Sequence, residues 1–290
     1  MRAGNSEIES TTRPRRIVTQ QKLEGRLAAA LRSELGDDAF GLDGKLLDWR
    51  DALVPIAVEA LDRRDPAPVF DPSRRRVPES GATMALNSFL PWLAHLNQLC
   101  LVGGEGFERA TFDARCPTGV RGTPPHLDVL AMRDQNVVAV TARGADYLAR
   151  RQGSLAPAYA DVAVNQALEP WIDLSRRIRT RQQSFRYLDV GAMMKFALGL
   201  ERTFPGHRLD ILYLYWEPRG VASFEPFARH RQELTTLVDV ARGSAVRFHA
   251  TSFAELWRSW LELGDLPWLR ALVAQLERRY DVAMDDLLVL

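Results

Sequence analysis

Three residues near the middle of the chain, Asp128, Thr141 and Arg143, have the types and spacing of a small polar site. They sit on two short apolar segments, 127–132 and 137–141, or just beyond them. Four polar residues separate these segments, a pattern that predicts a β-hairpin. Because alternate residues of a strand share a face, Arg143 should project on the same side as Thr141. A carboxylate, a hydroxyl and a guanidinium at one end of a hairpin can bind a cation or a phosphate.

The position of the polar turn also predicts how the two strands pair. A turn centred on Asp134 and Gln135 fixes one register for the whole hairpin. That register pairs Met132 with Val137, Leu130 with Ala139, and Asp128 with Thr141.

The hairpin resembles the signature of the PD-(D/E)xK nuclease superfamily, which has an Asp at the start of one strand and Glu-x-Lys on the next. Pro125-His126-Leu127-Asp128 is similar to the first half of that signature. Thr141-Ala142-Arg143 occupies the second half, with Thr in place of Glu and Arg in place of Lys. The resemblance therefore holds in position and departs in chemistry.

Other segments are similar to one bacterial branch of uncharacterised nuclease-like proteins. They are 84–90, 117–122, 156–159, 195–200 and 212–218. The resemblance covers about residues 80–290. It implies an α/β fold with a restriction-endonuclease-like core, in which helices flank a mixed central sheet.

The resemblance also implies a function. In the superfamily the two acids hold Mg²⁺ beside the scissile phosphate, and the lysine positions the attacking water. Here Asp128 is the remaining metal ligand, and the neutral Thr141 hydroxyl would hold Mg²⁺ only weakly. Arg143 cannot serve as a base, because its pKa is above about 12, but it can bind a phosphate through two hydrogen bonds. We therefore expect a nuclease-like protein that binds nucleic acid and cleaves weakly or not at all, which leaves its status as an enzyme uncertain.

Two alternatives remain open. In the first, the protein is an active Mg²⁺-dependent endonuclease whose acid and amine have moved, with Glu108, Asp146 and Lys195 as the candidates. In the second, the fold is a non-catalytic scaffold for protein–protein contacts. Ordinary structural roles compete with both, because an acid at a strand start often caps a turn. Lys195 can equally extend from an amphipathic helix into solvent.

A second candidate site is a run of arginines. Arg176, Arg177, Arg179 and Arg181 follow one another on a predicted helix and could contact a phosphate backbone. Charge runs are also typical of solvated helix faces.

Composition sets limits on location and partners. The net charge of +1 gives the molecule no overall basic field. Cys100 and Cys116 have no metal-ligand spacing, which favours a reducing, intracellular setting. No apolar run reaches the length of a membrane span, and the first residues do not resemble a signal peptide. We therefore expect a cytoplasmic protein with no membrane partner.

The remaining patterns predict the organisation of the chain. Residues 1–16 read as a disordered tail, 17–62 as a helical appendage, 63–80 as a linker and 81–290 as the nuclease-like domain. Helices are predicted at 17–35, 45–61 with a bend near Pro55, 83–100, 158–181, 187–203, 227–242, 253–263 and 267–280. Further strands are predicted at 107–112, 208–216 and 245–250.

Overall fold

The chain folds around a five-stranded sheet. The computed structural model describes residues 20–120, 122–149, 159, 166–221 and 224–283. Its helices are α1 (Gln20–Leu35), α2 (Pro55–Asp62), α3 (Gly81–Phe89), α4 (Glu169–Arg179), α5 (Val190–Thr203), α6 (Glu225–Ala241), α7 (Phe253–Leu261) and α8 (Pro267–Tyr280). Its strands are β1 (Cys100–Leu101), β2 (Gly104–Glu105), β3 (Arg109–Arg115), β4 (His126–Arg133), β5 (Asn136–Arg143), β6 (Arg208–Tyr215) and β7 (Val246–Ser252).

The main sheet is mixed and has the order β3-β4-β5-β6-β7. The first three strands form an antiparallel meander, whereas β6 runs parallel to β5 and β7 runs parallel to β6. Almost every side chain of β6 is buried, as expected for an aliphatic and aromatic strand inside a sheet. The predicted α/β class, with a mixed sheet flanked by helices, is confirmed.

The predicted central hairpin is also confirmed. β4 and β5 are antiparallel, and Leu130 pairs with Ala139 while Met132 pairs with Val137. The observed pairing ends at Val129 with Val140, one position short of the predicted pair of Asp128 and Thr141. The turn contains Asp134 with a positive φ of 47°, a conformation that aspartate tolerates better than most residues.

Three helices have other bounds than those predicted, and a proline lies at the changed end of each. The helix predicted at 83–100 ends at Phe89, because Pro91 has no N–H to donate and its ring crowds the preceding turn. Pro55 begins α2 instead of bending a longer helix, and Pro170 lies in the first turn of α4. Residues 158 and 160–165, which were predicted to begin the latter helix, lie outside the described residues.

A short hairpin was missed. Cys100 pairs with Glu105 and Leu101 with Gly104, so β1 and β2 form a two-stranded sheet where a helix end was predicted. Val102 and Gly103 both have positive φ in its turn, as the tight turns that connect hairpins require.

The proposed division into domains stays a prediction, and its first segment, 1–16, lies outside the described residues. Leu27 of α1 and Ala57 of α2 belong to the same cluster of buried apolar residues as Val129 and Val140 of the main sheet. Within the predicted linker, a 3-10 turn at Pro72–Arg75 contributes the fully buried Arg75.

Gly81 allows α3 to begin directly against the end of β5. A Cβ at this position would lie 2.5 Å from backbone atoms of Ala142 and Arg143. Ser80 caps the helix, since its hydroxyl accepts a hydrogen bond from the backbone N–H of Thr83. The start of α3 is thus fixed at the end of β5 that carries Arg143.

We predict that Gly81→Ala destabilises the protein by about 1–3 kcal/mol, because the new methyl group meets backbone that cannot rotate away. Denaturant unfolding measures this free energy. Gly25→Ala is the matched control, because Gly25 lies in α1 with no atom within 4 Å of its Cβ position. That substitution should raise stability by up to about 1 kcal/mol, through helix propensity. A Gly81→Ala protein as stable as the parent would contradict the close approach.

Candidate functional site

A cleft of about 340 Å³ opens where β5 ends and α3 begins. It combines the hairpin residues with residues from three other parts of the chain. Its walls consist of Arg74, Val77, Glu79, Ser80, Gly81, Ala82, Asp128, Ala142, Arg143, Gly144, Ala145 and Asp146. The cleft therefore includes Asp128 and Arg143, two of the three residues that the sequence assigns to one site.

Both carboxylate oxygens of Asp128 are engaged. Oδ2 accepts a hydrogen bond of 2.8 Å from the backbone N–H of Ala142, and Oδ1 accepts one of 3.2 Å from Arg74 Nη2. Asp128 is only 2% exposed. Burial raises the pKa of its carboxyl, although Arg74, Arg143 and the Ala142 N–H act in the opposite direction. Arg74 thus pairs with the carboxylate of Asp128, where a metal ion would compete with it.

A second acid holds Arg74 from the other side. Asp113 accepts hydrogen bonds from Arg74, from Arg75 Nη2 at 3.1 Å and from the backbone N–H of Asp71 at 2.8 Å. Asp113 has a positive φ of 50° in the middle of β3, at the point where the pairing with β4 is interrupted. This local break directs its carboxylate towards the 3-10 turn. Two arginines and two aspartates, Arg74, Arg75, Asp113 and Asp128, form one ion cluster.

Thr141 is fully buried, and its hydroxyl has no hydrogen-bond partner among the described residues. The side chain lies on β5 beside Tyr213 of β6. The hydroxyl is a poor candidate for a metal ligand, because Thr141 is not among the residues that line the cleft. It also costs stability, since a buried polar group without a partner loses its hydration.

Arg143 ends β5 and lines the cleft. Its Nη1 donates a 3.0 Å hydrogen bond to the carbonyl of Ala142. Burial disfavours its charge, but Tyr213, Asp146, Asp128 and Asp189 raise the pKa of the guanidinium above its ordinary value. Arg143 therefore stays cationic inside the cleft.

The first turn of α3 adds backbone donors to the same cleft. Gly81 and Ala82 occupy the first two helical positions, whose N–H groups have no partner within a helix. The positive end of the helix dipole points the same way.

Of the three residues predicted as relocated catalytic groups, two lie away from the cleft. Glu108 donates its backbone N–H to the carbonyl of Met132, at the opposite end of β4 from Asp128. Lys195 lies on α5 with its amine 5.5 Å from the ring centre of Tyr159, and it does not line the cleft. Asp146 does line the cleft, together with Glu79, which the sequence did not single out.

Half of the predicted arginine run is paired. Arg176 contacts Asp173 at 3.1 Å and Glu169 at 3.7 Å, and Arg177 contacts Asp173 at 3.0 Å. Arg179 and Arg181, at the end of α4 and just beyond it, are exposed. These two are the members of the run that a phosphate backbone can reach without displacing an acid.

Sequence reasoning missed Arg74, Arg75 and Asp113. The first two lie in a segment whose prolines and charges indicated a linker, and Asp113 follows the predicted strand. A signal was present in Asp71-Pro72-Ser73, because Asp71 caps the 3-10 turn by accepting hydrogen bonds from Ser73. No local pattern indicates which acids those arginines meet.

The donor set does not fit Mg²⁺. A hard cation requires several oxygen ligands, and both oxygens of Asp128 already accept hydrogen bonds while Thr141 does not line the cleft. Among the described residues no group of three or more His, Cys, Asp or Glu side chains is arranged to hold a metal ion.

Comparison with models of known protein families, with curated proteins and with solved structures gives no match. No helix within the described ranges is long and apolar enough to cross a membrane.

We predict that Thr141→Val raises the free energy of unfolding by about 1 kcal/mol, because valine has the same shape and removes an unpartnered buried hydroxyl. Thermal or denaturant unfolding measures the change. Thr235→Val is the control, because the Thr235 hydroxyl is exposed on α6 and bonded to the Arg231 carbonyl. That change should stay within about 0.5 kcal/mol of zero. A loss of stability in Thr141→Val would mean that the hydroxyl has a partner in solution.

Proposed function

We propose that this chain is a nuclease-like protein of the PD-(D/E)xK type that has lost metal-dependent cleavage and binds the phosphate groups of nucleic acid at the cleft between β5 and α3. One observation carries the first half of the proposal. Arg74 contacts Asp128 at 3.2 Å, so the only acid of the motif is paired with a guanidinium. A metal ion would have to displace that arginine from a buried carboxylate.

The fold is compatible with this class. Three antiparallel strands, a helical segment and then a strand parallel to the third form a mixed sheet flanked by helices. The two strands that carry the motif residues are antiparallel neighbours and pair in the register that the turn predicted. These features support a restriction-endonuclease-like core.

The second half of the proposal depends on Arg143 and α3. Arg143 supplies a guanidinium, which suits phosphate oxygens, and the N–H groups of Gly81 and Ala82 supply further donors. The cleft also contains the carboxylates of Glu79, Asp128 and Asp146, against two arginines. Binding is therefore weak, because these side chains leave the cleft with a formal charge of −1. It is sensitive to salt, because arginine makes the contacts with phosphate.

We predict little or no Mg²⁺-dependent nicking of plasmid DNA by the unmodified protein. Replacing the motif residues with Thr141→Glu and Arg143→Lys restores the acid and the amine but leaves Arg74 on Asp128. We expect that double variant to stay weak. Addition of Arg74→Ala should then increase nicking on the order of 10²-fold, the scale of a restored catalytic group. Nicking with Mg²⁺ or Mn²⁺ is measured for all three proteins.

Asp128→Asn in the triple variant is the control and should abolish the gained activity. If the unmodified protein already cuts, and Asp128→Asn abolishes that cutting, the loss of catalysis is refuted. If no form either cuts or binds, the fold serves as a scaffold for another protein.

A working endonuclease is the second candidate, because two further acids, Glu79 and Asp146, line the same cleft as Asp128. In that case Arg74 leaves Asp128 when substrate binds. Glu79→Gln or Asp146→Asn would then reduce the cleavage by the unmodified protein, whereas Glu108→Gln, at the far end of β4, would not.

We predict that nucleic-acid binding depends on Arg143, Arg179 and Arg181. Removing one phosphate contact lowers the slope of log K against log salt by about 0.9 on duplex DNA. Arg143→Gln should therefore lower the slope by about one unit, and Arg179→Gln with Arg181→Gln by about two. Fluorescence anisotropy with a labelled duplex at several salt concentrations measures the slope.

The same helix offers a matched control. Arg176→Gln with Arg177→Gln removes the same charge from arginines that are already paired with acids, and should change the slope less. Arg242→Gln should leave the slope unchanged. Arg242 comes shortly before the start of β7, at the end of the sheet opposite to Arg143. Equal slopes for all variants would mean that these arginines contact solvent and not the phosphate groups of the nucleic acid.

A further inference from the structure

A second cavity, of about 520 Å³, lies at β7 and shares no residue with the cleft around Asp128. The turn of the β1–β2 hairpin, strands β6 and β7, and helix α7 enclose it. Its walls are mostly apolar, with Leu101, Val102, Leu212, Ala250, Leu256 and Leu263. Its volume and its apolar lining are typical of small-molecule sites.

The polar side chains in its wall have already used their hydrogens. Thr251 donates to Glu255, Ser259 donates to the Leu256 carbonyl, and the Cys100 thiol is directed at Glu105. Each of these atoms keeps lone pairs that can still accept. The walls therefore offer acceptors, and the side-chain donors are engaged.

The ring of His249 is likewise engaged with an acceptor of the protein. Its Nε2 lies 2.8 Å from Oδ1 of Asp210, and Oδ2 of the same carboxylate accepts a hydrogen bond from Arg247. Although burial acts to raise it, these hydrogen bonds hold the pKa of Asp210 below its ordinary value. An ionised carboxylate can only accept, so Nε2 carries the proton and Nδ1 is the acceptor in the neutral ring.

Glu255 supplies a negative charge at the cavity. Its Oε2 accepts from the N–H and hydroxyl of Ser252 and from Thr251, in the capping box that begins α7. Although burial acts to raise it, these bonds and the nearby Arg258 hold the pKa of Glu255 below its ordinary value. Oε1 accepts no hydrogen bond from the described residues. A carboxylate oxygen and an imidazole nitrogen thus remain for a ligand.

We propose that this cavity binds a small amine with an apolar body. The ammonium group donates to Glu255 Oε1 and His249 Nδ1, and the hydrocarbon part packs on Leu101, Leu256 and Leu263. An anionic ligand of the same shape meets acceptors and a negative charge, which disfavours it. This site is independent of the function proposed for the Asp128 cleft.

Hexylamine, 1-hexanol and hexanoate test the proposal, because they share one apolar chain and differ in the head group. Titrations followed by ligand-observed NMR should give hexylamine a dissociation constant on the order of 1 mM. We expect hexanol to bind about fivefold more weakly, the scale of an exposed ion pair, and hexanoate more weakly still. Hexanoate binding as tightly as hexylamine, or no binding by hexylamine, would overturn the proposal.

Three variants locate the binding. Glu255→Gln removes the charge but keeps the capping box, which glutamine also forms, and should weaken hexylamine binding about fivefold. Glu262→Gln, at the end of the same helix and outside the cavity, should change nothing. Ser259→Phe fills the cavity from an exposed position and should abolish binding at an unchanged melting temperature. Undiminished binding in Ser259→Phe or Glu255→Gln would place the amine elsewhere and refute the site.

Discussion

The contact of Arg74 and Arg75 with Asp113 and Asp128 is the constraint on which the cleft depends. Arg75 is 0% exposed, and the two acids are nearly as buried. Burial lowers the pKa of Arg75, and Asp113 and Asp128 oppose that shift, so each charge persists because of the others. Removing one member of such a cluster leaves a buried charge without compensation, which typically costs about 3–5 kcal/mol. The four residues therefore hold 71–75 against β3 and β4.

This attachment links stability to chemistry. The carboxylate that a nuclease of the proposed class would use for a metal is the same one that holds the 3-10 turn in place. Exposing Asp128 to a cation means separating Arg74 from it, while Asp113 still holds that arginine. A nucleic acid that approaches the cleft meets Arg143 and the start of α3 without any such separation. Under the proposed function, binding and cleavage thus make different demands on the same site.

The two cavities differ in the hydrogen-bonding groups that they present. In the cleft around Asp128, guanidinium and backbone N–H groups are available, and the motif carboxylate is occupied. In the cavity at β7, Thr251, Ser259 and His249 have committed their hydrogens to protein acceptors. The ligands proposed for the two sites reflect this difference, with a phosphate group for the first and an amine for the second. Both properties follow from which internal hydrogen bonds the fold has already formed.

The sequence by itself determined the local structure where the pattern is strong. The turn at Asp134 and Gln135, between two runs of β-forming residues, specified both the hairpin and its register, because a shift of one residue would turn every side chain to the other face. The buried strand β6 and helices α5 to α8 were likewise evident from periodicity. The ends of the helices were less evident from periodicity, because single prolines such as Pro55 and Pro91 determine where a helix begins or ends.

Only the tertiary structure decided what surrounds Asp128. Arg74 lies 54 residues before it in the chain, and Asp113 reaches the same cluster through a positive φ that a strand pattern does not indicate. Which charged residues meet across such a distance in the chain depends on how the sheet and the 3-10 turn pack. Local propensity carries no information about that packing. The motif residues were readable from spacing, whereas their protonation, burial and availability depend on long-range contacts between charges.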